Sequence, residues 1–279
     1  MVILVTGANG QLGQALQSIK RNYPEILFVF LTSKELDITE QASIEACFLK
    51  VKPDFCINTA AYTAVDKAET EVEQAYLINT ISLKKLAEVC KSYNTTLLHI
   101  STDFVFDGEK TTPYTEEDAT NPTSEYGKSK LAGEKAIQEV LENYYIVRTS
   151  WLYSDYGNNF KKTMLRLAKE KTALSVVNDQ IGTPTHAVDL ATVLIKIAKS
   201  EKKAFGIYHY SNEGVASWYD FAKKIFEANH VIIDLKPIPS SQFPTPAKRP
   251  KYSVLDKGKI KSFLEINIKN WENSLIEIK

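Results

Sequence analysis

Over the first 150 residues, short apolar runs alternate with longer amphipathic stretches, and this alternation restricts the fold more than any other feature. The apolar runs are rich in β-branched and aromatic residues and predict strands at Val2–Thr6, Leu27–Thr32, Phe55–Thr59, Thr96–Ser101 and Tyr145–Thr149. Helical periodicity between them predicts helices at Gln11–Arg21, Gln41–Lys50, Glu71–Tyr93 and Ser124–Leu141. Such a pattern is typical of βαβ units with right-handed crossovers and a parallel sheet covered on both faces. We therefore expect an α/β fold, with a doubly wound parallel-sheet Rossmann domain over residues 1–150.

Beyond residue 150 the alternation is looser and predicts a smaller, interleaved C-terminal substrate lobe over residues 151–279. Further strands are expected at Ser175–Asn178 and Gly206–Tyr210, and a helix at Trp218–Asn229. A second helix, Ala187–Ser200, falls in the stretch 185–200 that we expect to pack back onto the first domain. The stretch Pro237–Pro250 holds five of the ten prolines and is predicted to be a loop.

Charge and composition exclude several classes of function. The 34 basic residues equal the 34 acidic ones, so net charge gives no argument for nucleic-acid binding. The three cysteines have no CxxC spacing and the four histidines no zinc-ligand spacing, which favours a reducing cytoplasm and argues against a zinc enzyme. No apolar run approaches the roughly 20 residues of a membrane helix, and the first residues resemble a buried strand of a mature protein rather than a signal peptide. We expect a cytoplasmic protein whose partner is a small molecule.

Three glycines, Gly7, Gly10 and Gly13, lie between the first predicted strand and the first predicted helix. Glycine permits a tight turn and a close approach of backbone N–H groups to a pyrophosphate, and the following helix presents its positive end to that anion. Glycines are common in ordinary turns as well, but their position after a strand and before a helix favours a dinucleotide site.

The choice of dinucleotide depends on the end of the second strand, where NAD-preferring sites place an acid on the ribose 2′-hydroxyl. No acid stands there, whereas Ser33 and Lys34 follow directly and could hold a 2′-phosphate. We therefore expect NADPH to be preferred, with NADH also accepted. Glu35 lies close enough to weaken this inference, and Lys34 as a solvated loop charge stays open. Asp37 and Ile38 come next and could flank the adenine.

Tyr126 and Lys130 stand four residues apart in a predicted helix, which puts both side chains on one face. An ammonium beside a tyrosine favours the phenolate, so we expect Lys130 to lower the pKa of Tyr126 from its usual value near 10. Tyr126 is then the predicted proton donor, and Lys130 can hold the nicotinamide ribose. At the end of the strand Thr96–Ser101, Thr102 or Ser101 could bond a substrate carbonyl oxygen, with capping of the strand end as the alternative.

Taken together, the glycine turn, Ser101-Thr102-Asp103 and the Tyr126/Lys130 pair resemble the extended short-chain dehydrogenase/reductase family. Longer strings are similar to the dTDP-4-dehydrorhamnose reductase family within it. These strings are residues 58–69, 101–108, 126–134, 148–151, 157–160, 178–185 and 244–250. They span nearly the whole chain and include the predicted substrate lobe.

The resemblance implies reduction of dTDP-4-dehydro-β-L-rhamnose to dTDP-β-L-rhamnose by hydride transfer from NADPH or NADH, the last step in making a bacterial cell-surface sugar donor. It places Gly10, Gln11 and Leu12 at the pyrophosphate, Asp37 and Ile38 by the adenine, and Ala61, Tyr62 and Thr63 along the cofactor. For the substrate it implies that Thr102 and Asp103 touch the sugar and that Trp151 packs on the deoxysugar. Asn159, in the string 157–160, is also assigned to the substrate. The alternative for Trp151 is a core aromatic.

The metal site departs from the family pattern, and the partner of the substrate pyrophosphate has to be assigned separately. Some members of the family bind Mg²⁺ through carboxylates of the first helix at a dimer contact, but Gln14-Ala15-Leu16 offers no acid there, so we expect no metal in the active site. A homodimer is left open. Arg249, in the proline-rich stretch, is our candidate partner for the substrate pyrophosphate, with a solvated arginine, Lys248 or Lys251 as alternatives.

Other functions of the same family remain alternatives. Another nucleotide-sugar 4-ketoreductase or a 4-epimerase would share the glycine turn and the Tyr126/Lys130 pair. A dehydratase usually carries a second acid after Asp103, where this chain has Phe104. A non-catalytic regulatory homologue would not need Thr102, Tyr126 and Lys130 intact.

Overall fold

The computed structural model describes residues 1–276. Its strands are β1 (Val2–Thr6), β2 (Leu27–Leu31), β3 (Phe55–Asn58), β4 (Thr96–Thr102), β5 (Tyr144–Thr149), β6 (Leu152–Tyr153), β7 (Ala173–Val177), β8 (Ile181–Gly182), β9 (Thr185–His186), β10 (Gly206–His209), β11 (Ala216–Ser217) and β12 (Asp234–Ile238). Its α-helices are α1 (Gln11–Ile19), α2 (Gln41–Val51), α3 (Val72–Tyr76), α4 (Ser82–Ser92), α5 (Glu125–Val140), α6 (Phe160–Glu170), α7 (Ala187–Lys199), α8 (Trp218–Ala228), α9 (Gly258–Leu264) and α10 (Trp271–Ile276). A π-helical turn, Leu77–Ile81, joins α3 to α4.

Six parallel strands form the central sheet in the order β10-β5-β4-β3-β1-β2. The order reverses at β1, which has β2 on one side and β3 on the other. In open α/β sheets the ligand crevice lies at such a reversal, outside the carboxyl ends of the strands. The prediction of a doubly wound parallel sheet is confirmed.

The two faces of the sheet are covered by different helices. Because successive side chains of a strand point to opposite faces, Ile3 and Val5 of β1 join one buried cluster and Leu4 joins the other. Helices α1 and α7 supply the first cluster, and α2, α4 and α5 supply the second. Packing of helices on both faces holds the sheet in place, and the candidate site lies at its carboxyl edge.

Helix α7 lies within the stretch 185–200, and its buried residues share a cluster with those of α1 and of the sheet strands. Gly206–Tyr210 is confirmed as a strand, β10, although it belongs to the central sheet and pairs with β5. A strand from beyond residue 150 therefore completes the first sheet. The division into lobes at residue 150 stays a prediction, and its last positions, 277–279, lie outside the described residues.

A third buried cluster lies after residue 150 and is rich in aromatic side chains, among them Tyr153, Phe221 and Trp271. It underlies a two-stranded parallel sheet of β7 and β12. The prediction of a loop at Pro237–Pro250 is wrong for its first two residues, because Pro237 pairs with Val176 within β12. β12 is bonded to β7 alone, and such an edge strand tolerates a residue without an N–H. Within residues 1–276, no helix is long and apolar enough to span a membrane.

Candidate active site

The glycine turn joins β1 to α1 at the reversal of the sheet. Gly7 has a φ of +66°, and a Cβ there would lie 2.7 Å from the Ala60 nitrogen. A Cβ on Gly13 would lie 2.6 Å from the Gly7 carbonyl oxygen, so only glycine lets α1 approach the turn this closely. Helix α1 starts at Gln11 without a side-chain cap on its first N–H groups. Uncapped donors at the positive end of a helix suit a pyrophosphate.

Gln11 links this turn to the part of the chain after residue 150. Its Oε1 accepts hydrogen bonds from Ser154 Oγ and Asn159 Nδ2, both at 2.9 Å, and its Nε2 donates to the Leu152 carbonyl at 3.2 Å. Asn159 also caps α6 by accepting from the Lys162 N–H. The structure thus places Asn159 against the glycine turn, with its amide committed to protein partners.

At the end of β2, Glu35 turns back along the chain. Its carboxylate accepts hydrogen bonds from the Thr32 N–H at 2.9 Å and the Thr32 hydroxyl at 2.8 Å, and these bonds lower the Glu35 pKa. Ser33 and Lys34 are exposed. The Glu35 carboxylate, which weakened the inference of an NADPH preference, is therefore occupied by Thr32, and the neighbouring Lys34 is exposed to solvent.

The expected adenine neighbours have different surroundings. Asp37 is exposed, and its Oδ1 accepts hydrogen bonds from the N–H and hydroxyl of Thr39. Ile38 is buried in the core cluster that contains Ile44 and Phe48. The Ile38 side chain therefore packs in the core.

The loop after β3 holds Ala61, Tyr62 and Thr63. Asn79 clamps its backbone, accepting from the Tyr62 N–H at 2.9 Å and donating to the Tyr62 carbonyl at 3.1 Å. Asn79 lies in the π-helical turn, a feature that is often found at functional sites. The Tyr62 hydroxyl donates to Glu71 at 2.6 Å, which raises the pKa of Tyr62 to about 12.

Tyr126 and Lys130 lie on α5, whose first turn is capped by Ser124. Tyr126 is 8% exposed, and the Phe104 ring meets it edge-on with centroids 5.6 Å apart. The Thr102 hydroxyl, at the end of β4, lies beside the Tyr126 hydroxyl and donates to Asp103 Oδ1 at 3.0 Å. The structure thus brings the three predicted catalytic side chains to one edge of the sheet.

The pKa of Tyr126 moves in the direction opposite to the one expected. Burial raises it to about 12, and the nearby Asp103 carboxyl adds to the rise, while Thr102 opposes it. The Lys130 ammonium does not offset this, because its Nζ donates to the Ile100 carbonyl at 2.7 Å and lies 3.2 Å from His99 Nε2. In the protein alone, the phenol stays protonated at neutral pH.

Asp103 is buried at the same edge, and burial raises the pKa of its carboxyl to about 6. The neighbouring Ser253 hydroxyl and the hydrogen bond from Thr102 limit this rise. Ser253 comes from the C-terminal part of the chain, so Asp103 lies where the two parts meet. A carboxyl in this position changes charge within the physiological range.

Trp151 has a positive φ of 46° and stacks face to face on Trp218, with ring centroids 3.6 Å apart and planes 9° apart. Phe160 packs against Trp218 from α6. Beside this stack lies a mainly apolar cavity of about 350 Å³. Its lining includes Phe160, Met164, Val176, Gln180, Phe243 and Arg249.

Arg249 reaches across to the loop after β3. Its Nη1 and Nη2 donate to Asp66 Oδ1 and Oδ2, both at 2.9 Å, and this pairing lowers the Asp66 pKa. The Ala247 N–H also donates to Asp66 at 3.3 Å. Arg249 lines the cavity, and its guanidinium already has a carboxylate partner.

Four residues of the site were not predicted to have a role: Asp66, Asn79, His99 and Trp218. Asp66 falls inside the family-like string 58–69, which drew attention to its position but not to its partner. The other three lie in ordinary helical or strand sequence, where no motif marks them. Among the residues described, no group of three or more His, Cys, Asp or Glu side chains is placed to hold a metal ion; the expectation of no active-site metal stays a prediction.

The chain is similar to known proteins over nearly its whole length. A family model described as the RmlD substrate binding domain matches residues 1–278. A dTDP-4-dehydrorhamnose reductase from Aggregatibacter actinomycetemcomitans is 43% identical, over 99% of this chain and 98% of that one. The crystal structure of a dTDP-4-dehydrorhamnose reductase from Clostridium acetobutylicum is 45% identical with a TM-score of 0.94, covering 99% of this chain and 98% of that one. The enzyme of that name from Bacillus anthracis, in complex with NADP, is 40% identical with a TM-score of 0.94, covering 98% and 96%. The chain therefore belongs to the RmlD substrate binding domain family, together with the dTDP-4-dehydrorhamnose reductases.

Proposed function

We propose that this chain reduces dTDP-4-dehydro-β-L-rhamnose to dTDP-β-L-rhamnose with a nicotinamide cofactor, as the last step of dTDP-L-rhamnose synthesis. The observation that carries the proposal is that Tyr126, Thr102 and Lys130 lie at the carboxyl edge of the sheet, the edge at which the glycine turn follows β1. Ligands bind outside the carboxyl ends of the strands in parallel sheets of this kind.

The cofactor supplies a hydride to C4 of the sugar. The glycine turn fits its pyrophosphate, since the close packing of Gly7 and Gly13 leaves the uncapped end of α1 open to an anion. We propose a preference for NADPH, because Lys34 is exposed and Glu35 is held by Thr32. The Bacillus anthracis relative in complex with NADP supports this choice.

Proton transfer falls to Tyr126. With its pKa raised to about 12, the phenol carries its proton at neutral pH and can give it to the alkoxide that forms at C4. The Thr102 hydroxyl, beside it, would bond the carbonyl oxygen and hold it in line with the phenol. General acid catalysis of this kind contributes about 10²–10⁴-fold to the rate.

The substrate would lie between this edge and the apolar cavity. We place the deoxysugar near Trp151 and Asp103, the pyrophosphate at Arg249, and the thymine in the cavity beside Phe160 and Phe243. An apolar pocket with few polar groups is typical of ligand sites. We further propose that the protein acts in the cytoplasm, without an active-site metal.

The direct test is to supply the purified protein with the keto sugar and NADPH and to follow NADPH absorbance. We expect one NADPH to be consumed per sugar, with dTDP-β-L-rhamnose identified by NMR. A protein that binds NADPH but never oxidises it with this substrate would overturn the proposal. Interconversion of dTDP-sugars without net NADPH consumption would instead identify an epimerase.

A further inference from the structure

A line of four buried polar side chains runs from the sheet interior to Lys130. Thr6 Oγ1 lies 2.5 Å from Asn58 Oδ1, Asn58 Nδ2 lies 3.0 Å from His99 Nδ1, and His99 Nε2 lies 3.2 Å from Lys130 Nζ. Each of the four is at most 1% exposed. The members come from β1, β3, β4 and α5, so the line crosses the sheet under the glycine turn.

The hydrogen-bonding capacity of these groups links the proton of Lys130 to that of His99. A neutral imidazole has one N–H donor and one bare acceptor nitrogen, and an ammonium can only donate. If Lys130 is an ammonium, His99 Nε2 must be bare and the ring proton must lie on Nδ1. If the Asn58 Nδ2 donates to Nδ1, the ring proton must lie on Nε2, and Lys130 accepts it only as a neutral amine.

As the side chains lie, Asn58 fits the second arrangement, the one in which Lys130 is a neutral amine. Its Nδ2 also lies 3.3 Å from the Ala60 carbonyl oxygen, and its Oδ1 faces the Thr6 hydroxyl. Turning the amide would place its oxygen against the Ala60 carbonyl and expose two acceptors to each other. The first arrangement therefore needs a rearranged Asn58, whereas the second is satisfied as the side chains lie.

We infer that His99 is a positioning residue for Lys130, and that its ring changes tautomer when Lys130 gains or loses a proton. Two contacts, to Ile100 and His99, hold the Lys130 amine and leave its remaining N–H for the cofactor ribose. The inference rests on the proposed role of Lys130 in the reduction.

The surrounding charges allow this exchange near neutral pH. Burial lowers the pKa of Lys130 to about 8, opposed by Glu134 on the same helix, and burial keeps the His99 pKa well below its usual range. His99 is then neutral while Lys130 titrates. The other titratable groups at this edge are Tyr126, which stays protonated, and Asp103, which ionises at lower pH.

The tautomer can be measured on the wild-type protein without substrate, by long-range ¹H–¹⁵N NMR of protein labelled on its histidine side chains. From about pH 6.5 to about pH 9.5, we expect the His99 proton to move from Nδ1 to Nε2, with a midpoint near the Lys130 pKa. His209 is an internal control, because its Nδ1 lies 3.0 Å from the Tyr114 carbonyl and needs its proton there throughout. A His99 ring that keeps one tautomer across this range would overturn the proposed change of tautomer, whether or not the protein proves to be a reductase.

Kinetics of two variants test the positioning itself. His99→Leu removes the partner of Lys130, so we expect kcat to fall about tenfold while the KM for the keto sugar changes by less than about threefold. His99→Gln presents an amide oxygen to the ammonium and should recover most of kcat, with a shifted pH profile. A folded His99→Leu enzyme with the kcat and pH profile of wild type, or a His99→Gln enzyme no better than His99→Leu, would overturn the positioning role. If His99→Leu does not fold, the NMR measurement and His99→Gln still decide.

Discussion

The cofactor side and the substrate side of the site are built differently. On the cofactor side, spacing within one element brings the functional groups together: Gly7 and Gly13 in one strand-turn-helix, and Tyr126 and Lys130 on one helix face. On the substrate side, the groups are fixed by partners far away in the chain. Arg249 pairs with Asp66, 183 residues earlier, and Trp151 stacks on Trp218.

The difference shows which parts of a site can be derived from sequence. Spacing within one element determines which side chains share a face, since helix and strand periods are fixed. It does not determine which loop meets which. A cation such as Arg249 can be nominated from its motif, but whether a carboxylate already occupies it depends on tertiary contacts.

The largest effect is expected on the cofactor side. Tyr126→Phe removes one hydroxyl and little volume, so kcat should fall about 10²–10⁴-fold with NADPH affinity retained. Tyr144→Phe, at the opposite end of the sheet, is the matched control and should keep wild-type kcat. Activity of Tyr126→Phe within about threefold of wild type would remove Tyr126 as the proton donor.

On the substrate side, Arg249→Ala should raise the KM for the dTDP-sugar about tenfold or more and leave the KM for NADPH unchanged. Lys251→Ala, two residues on, is the control. Asp66→Asn removes the charge that neutralises the guanidinium, so its KM for the dTDP-sugar should not exceed that of wild type. If Asp66→Asn raises this KM as much as Arg249→Ala does, the pair only holds two loops together; if Lys251→Ala raises it instead, the pyrophosphate partner is wrongly assigned.

Asp103 lies where the cofactor side and the substrate side meet, and we expect it to make kcat/KM for the keto sugar depend on pH. Its pKa is raised to about 6, so the carboxylate that would accept a sugar hydroxyl is lost as pH falls through this value. We expect kcat/KM for the keto sugar to fall roughly tenfold one unit below that pKa, and Asp103→Asn to flatten this limb. Because the unfolded chain releases this proton at lower pH, ionising Asp103 also lowers the free energy of unfolding as pH rises from about 4 to about 6. A limb near pH 6 that persists in Asp103→Asn belongs to another group.

The smallest effect is expected at Lys34, because an exposed charge contributes little. Lys34→Ala should weaken NADPH about two- to fivefold and leave NADH unchanged, since only NADPH carries the 2′-phosphate. Lys203→Ala provides an exposed lysine as control. Equal changes in both KM values would make Lys34 a solvated loop charge, and a wild-type preference for NADH would contradict the interpretation of this loop.

Much of the fold follows from periodicity, and the exceptions have physical reasons. The first five strands were predicted to within one residue at each end, because their apolar runs are bounded by turns or helices. β12 was missed since prolines usually exclude strands, whereas an edge position tolerates Pro237. The sequence could not show that β10 completes the first sheet, because strand order depends on packing of α7 and not on local pattern.

The same holds for the site. The Tyr126/Lys130 pair was predictable from four-residue spacing, but the direction in which the pKa of Tyr126 shifts was not. Burial raises the Tyr126 pKa, while Lys130 Nζ is bonded to Ile100 and lies against His99. His99 itself lies within an apolar strand run, where nothing in its neighbours distinguishes a core histidine from one that holds a lysine.

The proposed reaction requires hydride delivery to C4 together with a proton from Tyr126, and isotopic labelling tests this directly. Wild-type protein and Tyr126→Phe are given the keto sugar with NADPH deuterated at the transferable position, and the product is analysed by NMR. We predict one deuterium at C4 of dTDP-β-L-rhamnose for the wild type, formed at least about a hundredfold faster than with Tyr126→Phe. A product without deuterium at C4, or equal rates for the two proteins, would contradict the proposed reaction.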